Sequence, residues 1–230
     1  SFLLDWNHVL TPHMKLIIQI PCYNEEETLP ITFRELPKKI EGISTIEYQV
    51  IDDGSSDNTA KVAKKLGVHH IIQFKKNRGL GTGFKHGVTN AIIQWADILV
   101  NTDADNQYPG KYIEKLVRPI VLGQAEIVVG NRQPTKTPHF SPTKRFFQRL
   151  GNQVVSTITR EPIPDAVSGF RAYSREALYE LNVTTRFSYV LDTIIQAYKK
   201  GLKIQWVKIR TNPPTRPSRL FRNIFEHMQK

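Results

Sequence analysis

Two carboxylates in alternate positions, Asp103 and Asp105, stand just past a short apolar run at 98–101. At the end of a buried strand, that spacing lets both reach one hard cation. Mg2+ or Mn2+ held through oxygen would keep open positions for a diphosphate and would neutralise charge as a phosphate leaving group departs. Gln107 offers a further oxygen ligand. The same pair also suits an ordinary polar turn, so in isolation it leaves the chemistry open.

Four other polar clusters accompany it. Pro21-Cys22-Tyr23-Asn24-Glu25-Glu26 contains no glycine, which argues against a dinucleotide-binding turn. It can set a ring and a carboxylate beside a nucleobase, or Asn24 can cap a helix whose first turn carries the glutamates. Cys22 has no basic neighbour and reads as a packed small residue rather than a nucleophile. Asp52-Asp53-Gly54-Ser55 can accept hydrogen bonds from ribose or base, or form a turn ahead of a cap by Asp57. Asn77-Arg78-Gly79-Leu80-Gly81-Thr82-Gly83 resembles a phosphate cradle, with Arg78 and Gly79 near a nucleotide. Asp165-Ala166-Val167-Ser168-Gly169-Phe170-Arg171, taken alone, is a turn.

The elements that must position these clusters alternate. Strands are expected at 15–20, 48–51, 69–74, 98–101 and 125–130, with helices at 26–40, 58–66 and 82–95 and another opening at Pro109. That rhythm predicts an α/β fold with a mostly parallel central sheet and helices on both faces. Ligands of such sheets bind outside the carboxyl ends of the strands, where the clusters fall. Beyond Gly130 the rhythm breaks: a loop over 131–145, a helix over 143–159, a turn entering a strand over 165–173, a helix over 189–200 ended by Gly201 and a strand over 203–207.

The chain has 230 residues and one cysteine, so an internal disulfide is excluded and a cytosolic setting is expected. No apolar run approaches the length of a membrane span, and no secretory signal is expected at the start. Residues 1–13 read as an extension preceding a domain over 14–215. Thirty-two Lys and Arg against 21 Asp and Glu give +11, which favours an anionic partner. An RNA-binding aromatic signature and a helix-turn-helix pattern are both lacking, so no nucleic-acid partner is expected.

Together, in this order and spacing, the clusters resemble the family 2 glycosyltransferases of GT-A fold, and within them the polyprenyl-phosphate, dolichol-phosphate mannose synthase-like branch. Gly130-Asn131-Arg132 and Arg216-Pro217-Ser218-Arg219-Leu220 complete the likeness, which runs from about Lys15 to the C-terminus. It implies a single Rossmann-like domain and an inverting, metal-dependent transfer from a UDP- or GDP-sugar. Pro21, Tyr23 and Glu25 would border the base, with Asp52 near the nucleoside, Arg171 near the phosphates, Asp103 and Ala104 among the nucleotide-sugar-binding residues, and Asp103, Asp105 and Gln107 on the metal. Arg132, Arg145 and Arg149 would receive an acceptor phosphate, with Asp105, Arg132 and Arg145 counted as catalytic. The chain departs from the family pattern at Asn106 and Tyr108.

Residue chemistry supports a phosphate acceptor independently. Transfer to a hydroxyl needs a base, for which Asp165 or Asp192 would be candidates, whereas an ionised phosphate needs only cations to position it. Leu220, Phe221, Ile224, Phe225 and Met228 recur at helical spacing among arginines. A C-terminal helix over 216–230 would therefore either lie in a membrane surface or pack on the domain, and the first option places the enzyme at the cytoplasmic face of a membrane.

Overall fold

The run Leu16-Ile17-Ile18 offers apolar side chains to both faces of a strand, so it is stable only where both faces are covered. In the computed structural model, which describes residues 13–134, 142–183 and 189–213 (side chains of 142–144 excepted), this run lies in β1 (Met14–Cys22). The other strands are β2 (Ile43–Asp52), β3 (His70–Gln73), β4 (Ile98–Asn101), β5 (Ile127–Asn131), β6 (Arg171–Ser174) and β7 (Ile204–Lys208). They form one seven-stranded sheet in the order β3-β2-β1-β4-β6-β5-β7. All pairs are parallel except those of β6, which runs against both β4 and β5. The chain is thus a single α/β domain, as expected.

Helices cover both faces. Leu16, Ile18, Ile20, Ile98, Val100 and Val128 meet α1 (Leu29–Glu35), α2 (Thr59–Lys65) and α4 (Ile113–Val121) through Leu29, Ala63 and Leu116. The alternate residues Ile17, Leu99, Ile127 and Val129 meet α3 (Leu80–Ile93), α6 (Arg175–Glu180) and α7 (Tyr189–Lys199) through Phe84, Leu178 and Ala197. A smaller cluster of Val155, Ile163, Ala166 and Ile194 seats α5 (Pro142–Thr159) beside α7.

The expected elements recur with shifted ends. The helix expected over 26–40 contracts to α1, because residues 24–26 hydrogen-bond to the loop after β2 instead. Pro109 precedes a short 3-10 turn, Gly110–Tyr112, rather than opening α4 directly. The short helix α6 adds to the expected elements: Ser174 caps it, its hydroxyl accepting from Ala177 N. Among the described residues no helix is long and apolar enough to cross a membrane. The expected helix over 216–230 lies outside the described residues.

Because β6 alone is reversed, its first residue sits at the rim where the other strands end. Asn101 of β4 pairs with Arg171 of β6, and Cys22 of β1 with Asp52 of β2. The loop over 165–170 therefore joins the clusters at 21–26, 52–55 and 103–107 on one rim.

Candidate active site

The first two clusters are tied together by their own polar groups. Asn24, at φ 53, accepts from Ser56 N through Oδ1 at 2.8 Å, and its own N–H donates to Ser55 Oγ at 2.9 Å. Glu25 N donates to Thr59 Oγ1 at 2.8 Å, and Glu26 N to Asp57 Oδ2 at 3.1 Å. Asp57 also accepts from Thr59 N, so it serves α2 from just outside its first turn. Glu25 is buried and accepts from Thr28 Oγ1. Pro21 is half-buried, and Tyr23 shows 39% of its surface at the rim.

Asp52 is wholly buried at the end of β2. Its Oδ1 accepts from Ser55 N at 2.9 Å, whereas its buried Oδ2 has no hydrogen-bond partner. A buried carboxylate oxygen left so is costly unless a donor arrives, which suits the N–H or O–H of a nucleoside. Asp53 turns the other way and accepts from Arg78 N at 2.6 Å and Gly79 N at 2.9 Å. Those two amides of the expected phosphate cradle are therefore spent on Asp53. Burial pushes the Asp53 carboxyl up, against the lowering effect of these two bonds. Gly54, at φ 74, is required here: a Cβ would stand 2.4 Å from the carbonyl carbon of Lys76.

The turn after β4 is held from three sides. Thr32 Oγ1 donates to the carbonyl of the buried Ala104 at 2.9 Å. Gln107 N donates to Asp105 Oδ1 at 3.1 Å, and Asn212 N donates to Gln107 O at 3.0 Å. Asn106, at φ 55, donates through Nδ2 to Glu35. Asp103, Asp105 and Gln107 remain half-buried at the rim. Thr32 and Asn212 carried no sequence signal, since each acts from a distant element.

The donor set fits a divalent cation of the Mg2+ or Mn2+ kind. Among the described residues no group of three or more His, Cys, Asp and Glu could enclose a metal. Two carboxylates beside an open rim instead match a hard cation that completes its shell on substrate phosphate oxygens. Cys22 lies below. Burial first, then Glu25 and Asp52, keep its thiol protonated well above the usual range, so it is not a nucleophile.

The cations divide into two kinds. Arg171 corrects its expected place near the donor phosphates: it is fully buried, and its guanidinium donates to the carbonyls of Ser168, Val190 and Ala166 and to Thr193 Oγ1 at 2.7–2.9 Å. It braces the 165–170 loop against α7. Arg132, expected to receive the acceptor phosphate, is 6% exposed and forks onto Asp165, with Nε to Oδ2 at 2.8 Å and Nη2 to Oδ1 at 2.7 Å. Its backbone N–H also donates to Asp165. Asp165 is consequently no free base. Tyr108 stacks on Phe170 nearby, with ring centroids 4.9 Å apart, and its burial pushes the phenol up so that it stays neutral. By contrast Arg149 is exposed and Arg145 half-buried, both on α5.

Comparison with known proteins agrees with this geometry. Residues 17–181 match the family described as Glycosyl transferase family 2. The chain is 30% identical over 215 residues to the UDP-N-acetylglucosamine–dolichyl-phosphate N-acetylglucosaminyltransferase of Methanococcus voltae, covering 84% of this chain and 83% of that one. It is 25% identical over 209 residues to the polyprenol monophosphomannose synthase of Mycolicibacterium smegmatis, covering 86% and 77%. Its fold is similar to glucosyl-3-phosphoglycerate synthase from Mycobacterium tuberculosis, solved with Mn2+ and UDP-glucose. The TM-score is 0.69 at 19% identity, over 94% of this chain and 78% of that one. A GT-A sheet, an acid pair past its fourth strand and a family match over most of the domain have one reading: the chain is a glycosyltransferase and belongs to glycosyl transferase family 2.

Proposed function

We propose that the chain moves a sugar from a UDP- or GDP-sugar to the phosphate of a polyprenyl lipid at a membrane surface, with Mg2+ or Mn2+ held by Asp103 and Asp105. The observation that carries the acceptor assignment is α5. Phe146, Phe147, Leu150, Val154 and Ile158 share one side of this helix and are 49–63% exposed. Arg145 and Arg149 lie along one edge of that stripe, which suits a substrate with an anionic head and an apolar tail. The helix is fastened to the site by Asn152, which donates to Pro164 O and accepts from Ala166 N, both at 2.8 Å, on either side of Asp165. The relatives named for dolichyl phosphate and polyprenol point the same way.

In this reading Tyr23 stacks on the base and Asp52 Oδ2 accepts a nucleoside donor. Gln107 is available to the cation beside Asp103 and Asp105. The bound cation would neutralise the departing nucleoside diphosphate. Arg145 and Arg149 hold the acceptor phosphate in line with the anomeric carbon. A phosphate oxygen forms the new bond from the face opposite the leaving group, so the configuration inverts as the sugar–diphosphate bond breaks. No base is required, which suits a site whose Asp165 spends both oxygens on Arg132.

Nucleotide release from a panel of UDP- and GDP-sugars, with polyprenyl phosphate or neutral polyprenol as acceptor, tests the proposal. Turnover should require the phosphate. Equal transfer to polyprenol would overturn the acceptor assignment and leave the family assignment untouched.

A further inference from the structure

A row of amides crosses the middle of the apolar sheet. Gln19 of β1 is in register with Gln49 of β2 on one side and Asn101 of β4 on the other. All three are at most 1% exposed and lie on the face covered by α3. They bond head to tail. Asn90 Nδ2 donates to Gln49 Oε1 at 2.6 Å, Gln49 Nε2 to Gln19 Oε1 at 2.9 Å, and Gln19 Nε2 to Asn101 Oδ1 at 2.9 Å. Asn101 Nδ2 then donates to Gly169 O at 3.0 Å and Tyr189 Oη at 2.9 Å.

The direction of the row is forced from both ends. Gln49 Nε2 also meets Gly87 O, at 3.0 Å, and a backbone carbonyl can only accept. Gly169 O imposes the same choice on Asn101. Reversing any one amide sets donor against donor or acceptor against acceptor, so the orientations rest on the network itself. The helix above leaves no slack: a Cβ on Gly87 would lie 1.8 Å from Gln19 Oε1.

Stability alone does not account for three buried amides. Apolar partners of the same shape would serve nearly as well. What the amides add is direction, since each bond is satisfied in only one relative placement of α3, β1, β2, β4 and the 165–170 loop. The row ends on Gly169 O and Tyr189 Oη, beside the candidate metal carboxylate. Asn101 is two residues before Asp103 on the same strand end. A Cβ on Gly169 would stand 3.5 Å from Tyr189 Oη and 3.8 Å from Asp103 Oδ1, so the carbonyl fixed by Asn101 belongs to the residue bordering that carboxylate. Tyr189 itself stacks on Phe84 of α3, with centroids 4.0 Å apart and planes 6° from parallel.

We propose that Gln19, Gln49 and Asn101, with Tyr189, are positioning residues that set the place of Asp103 against the 168–169 backbone and thereby the affinity of the site for a divalent cation beside a nucleoside diphosphate. The proposal rests on the reading of Asp103 as a metal ligand.

Calorimetric titration of Mn2+ into the full chain saturated with UDP or GDP tests it without reference to turnover. Gln19→Met keeps the length of the side chain and breaks the row. Tyr189→Phe removes one acceptor of Asn101 and keeps the stack on Phe84. Loss of groups behind a metal ligand typically weakens the metal by tenfold or more, so Gln19→Met should raise the Mn2+ Kd roughly tenfold. Tyr189→Phe should raise it by less, about threefold, and is the readout should Gln19→Met fail to fold. Nucleotide affinity without metal should stay native in both. Ile120→Val, a core change on the opposite face of the sheet, should lower thermal stability and leave the Mn2+ Kd alone. Native Mn2+ affinity in every folded row variant, or an equal loss in Ile120→Val, would overturn the proposal alone. Absence of Mn2+ uptake by the native chain would instead remove the metal reading, and the proposal with it.

Discussion

The two ends of the sheet handle polar groups differently. Around β1, β2 and β4, the candidate ligand-facing residues sit on loops pinned by hydrogen bonds between side chain and backbone, as with Asn24 on Ser56 and Asp53 on Arg78 and Gly79. Around β5, β6 and β7, buried charge does the pinning. Arg132 grips Asp165, and Arg171 is wrapped in carbonyls. The first arrangement leaves Tyr23, Asp103 and Asp105 at the surface of the rim. The second draws inward the two arginines that looked most like ligands, which is why the proposed acceptor contact falls to α5. In the purely parallel part, a polar residue at a strand end is at the rim by construction. Beside the reversed strand, the same residue type is drawn inside as scaffold by its partners, as Arg132 and Arg171 are.

Removing one member of the Arg132–Asp165 pair should have the largest effect. Asp165→Ala leaves a buried guanidinium uncompensated and should lower the unfolding free energy by about 3–5 kcal/mol in denaturant melts. Replacing both, as Arg132→Met with Asp165→Leu, should recover most of that loss. Near-native stability of Asp165→Ala would mean that this end is not organised by buried charge.

Asp105→Ala probes the other end. Activity should fall by roughly 100-fold or more, the scale of losing a metal's charge stabilisation, and native enzyme in excess chelator should lose activity likewise. The fold should persist, because Asp105 is half-buried and its bond from Gln107 N lies within its own turn. Full activity in chelator would break the distinction between a ligand-facing rim and a braced one.

Arg145→Ala should be milder. Loss of a charged contact to phosphate, about 1.5–3 kcal/mol, corresponds to roughly tenfold or more in acceptor kcat/KM, with the KM for the donor unchanged. An effect confined to the donor would move α5 to the wrong side of the comparison.

The smallest effect belongs to the far edge of the sheet, where Glu47 meets Lys15 at 2.8 Å and His70 at 2.6 Å. Burial pushes this carboxyl up, but the bonds to His70 and Lys15 outweigh it and hold the group below its ordinary value. A depressed carboxylate contributes stability above its unfolded pKa and loses it as pH falls through the lower folded value. Glu47→Gln should therefore cost about 0.5 kcal/mol at neutral pH, with the difference closing below about pH 4. A gap that widened in acid would reverse the assignment.

Much of the fold was legible because its signals are local. The run at 98–101 coincides with β4, and the alternation of strand and helix segments predicted the helices found on both faces. The clusters at 21–26, 52–55 and 103–107 fell on one rim because parallel strands end on one side. Only the family resemblance placed the 168–171 turn with them, since nothing in Arg171 to Ser174 records that β6 runs backwards. The amide row was half visible, as Gln19, Gln49 and Asn101 are polar residues in otherwise apolar strands, but a single polar position in one strand does not say what faces it.

By itself the sequence determined the class of chemistry: an acid pair after a buried strand, polar turns at successive strand ends, and the family they jointly resemble. Only the tertiary structure decided which arginines are drawn inside as braces. A guanidinium has five N–H groups, and its role depends on what fills them. For Arg132 the partner lies 33 residues along the chain, and for Arg171 two of the partners lie 19 and 22 residues away on α7. Folding joins such groups through the packing of whole elements, so no local pattern of residue types could have marked Arg132 and Arg171 as internal braces.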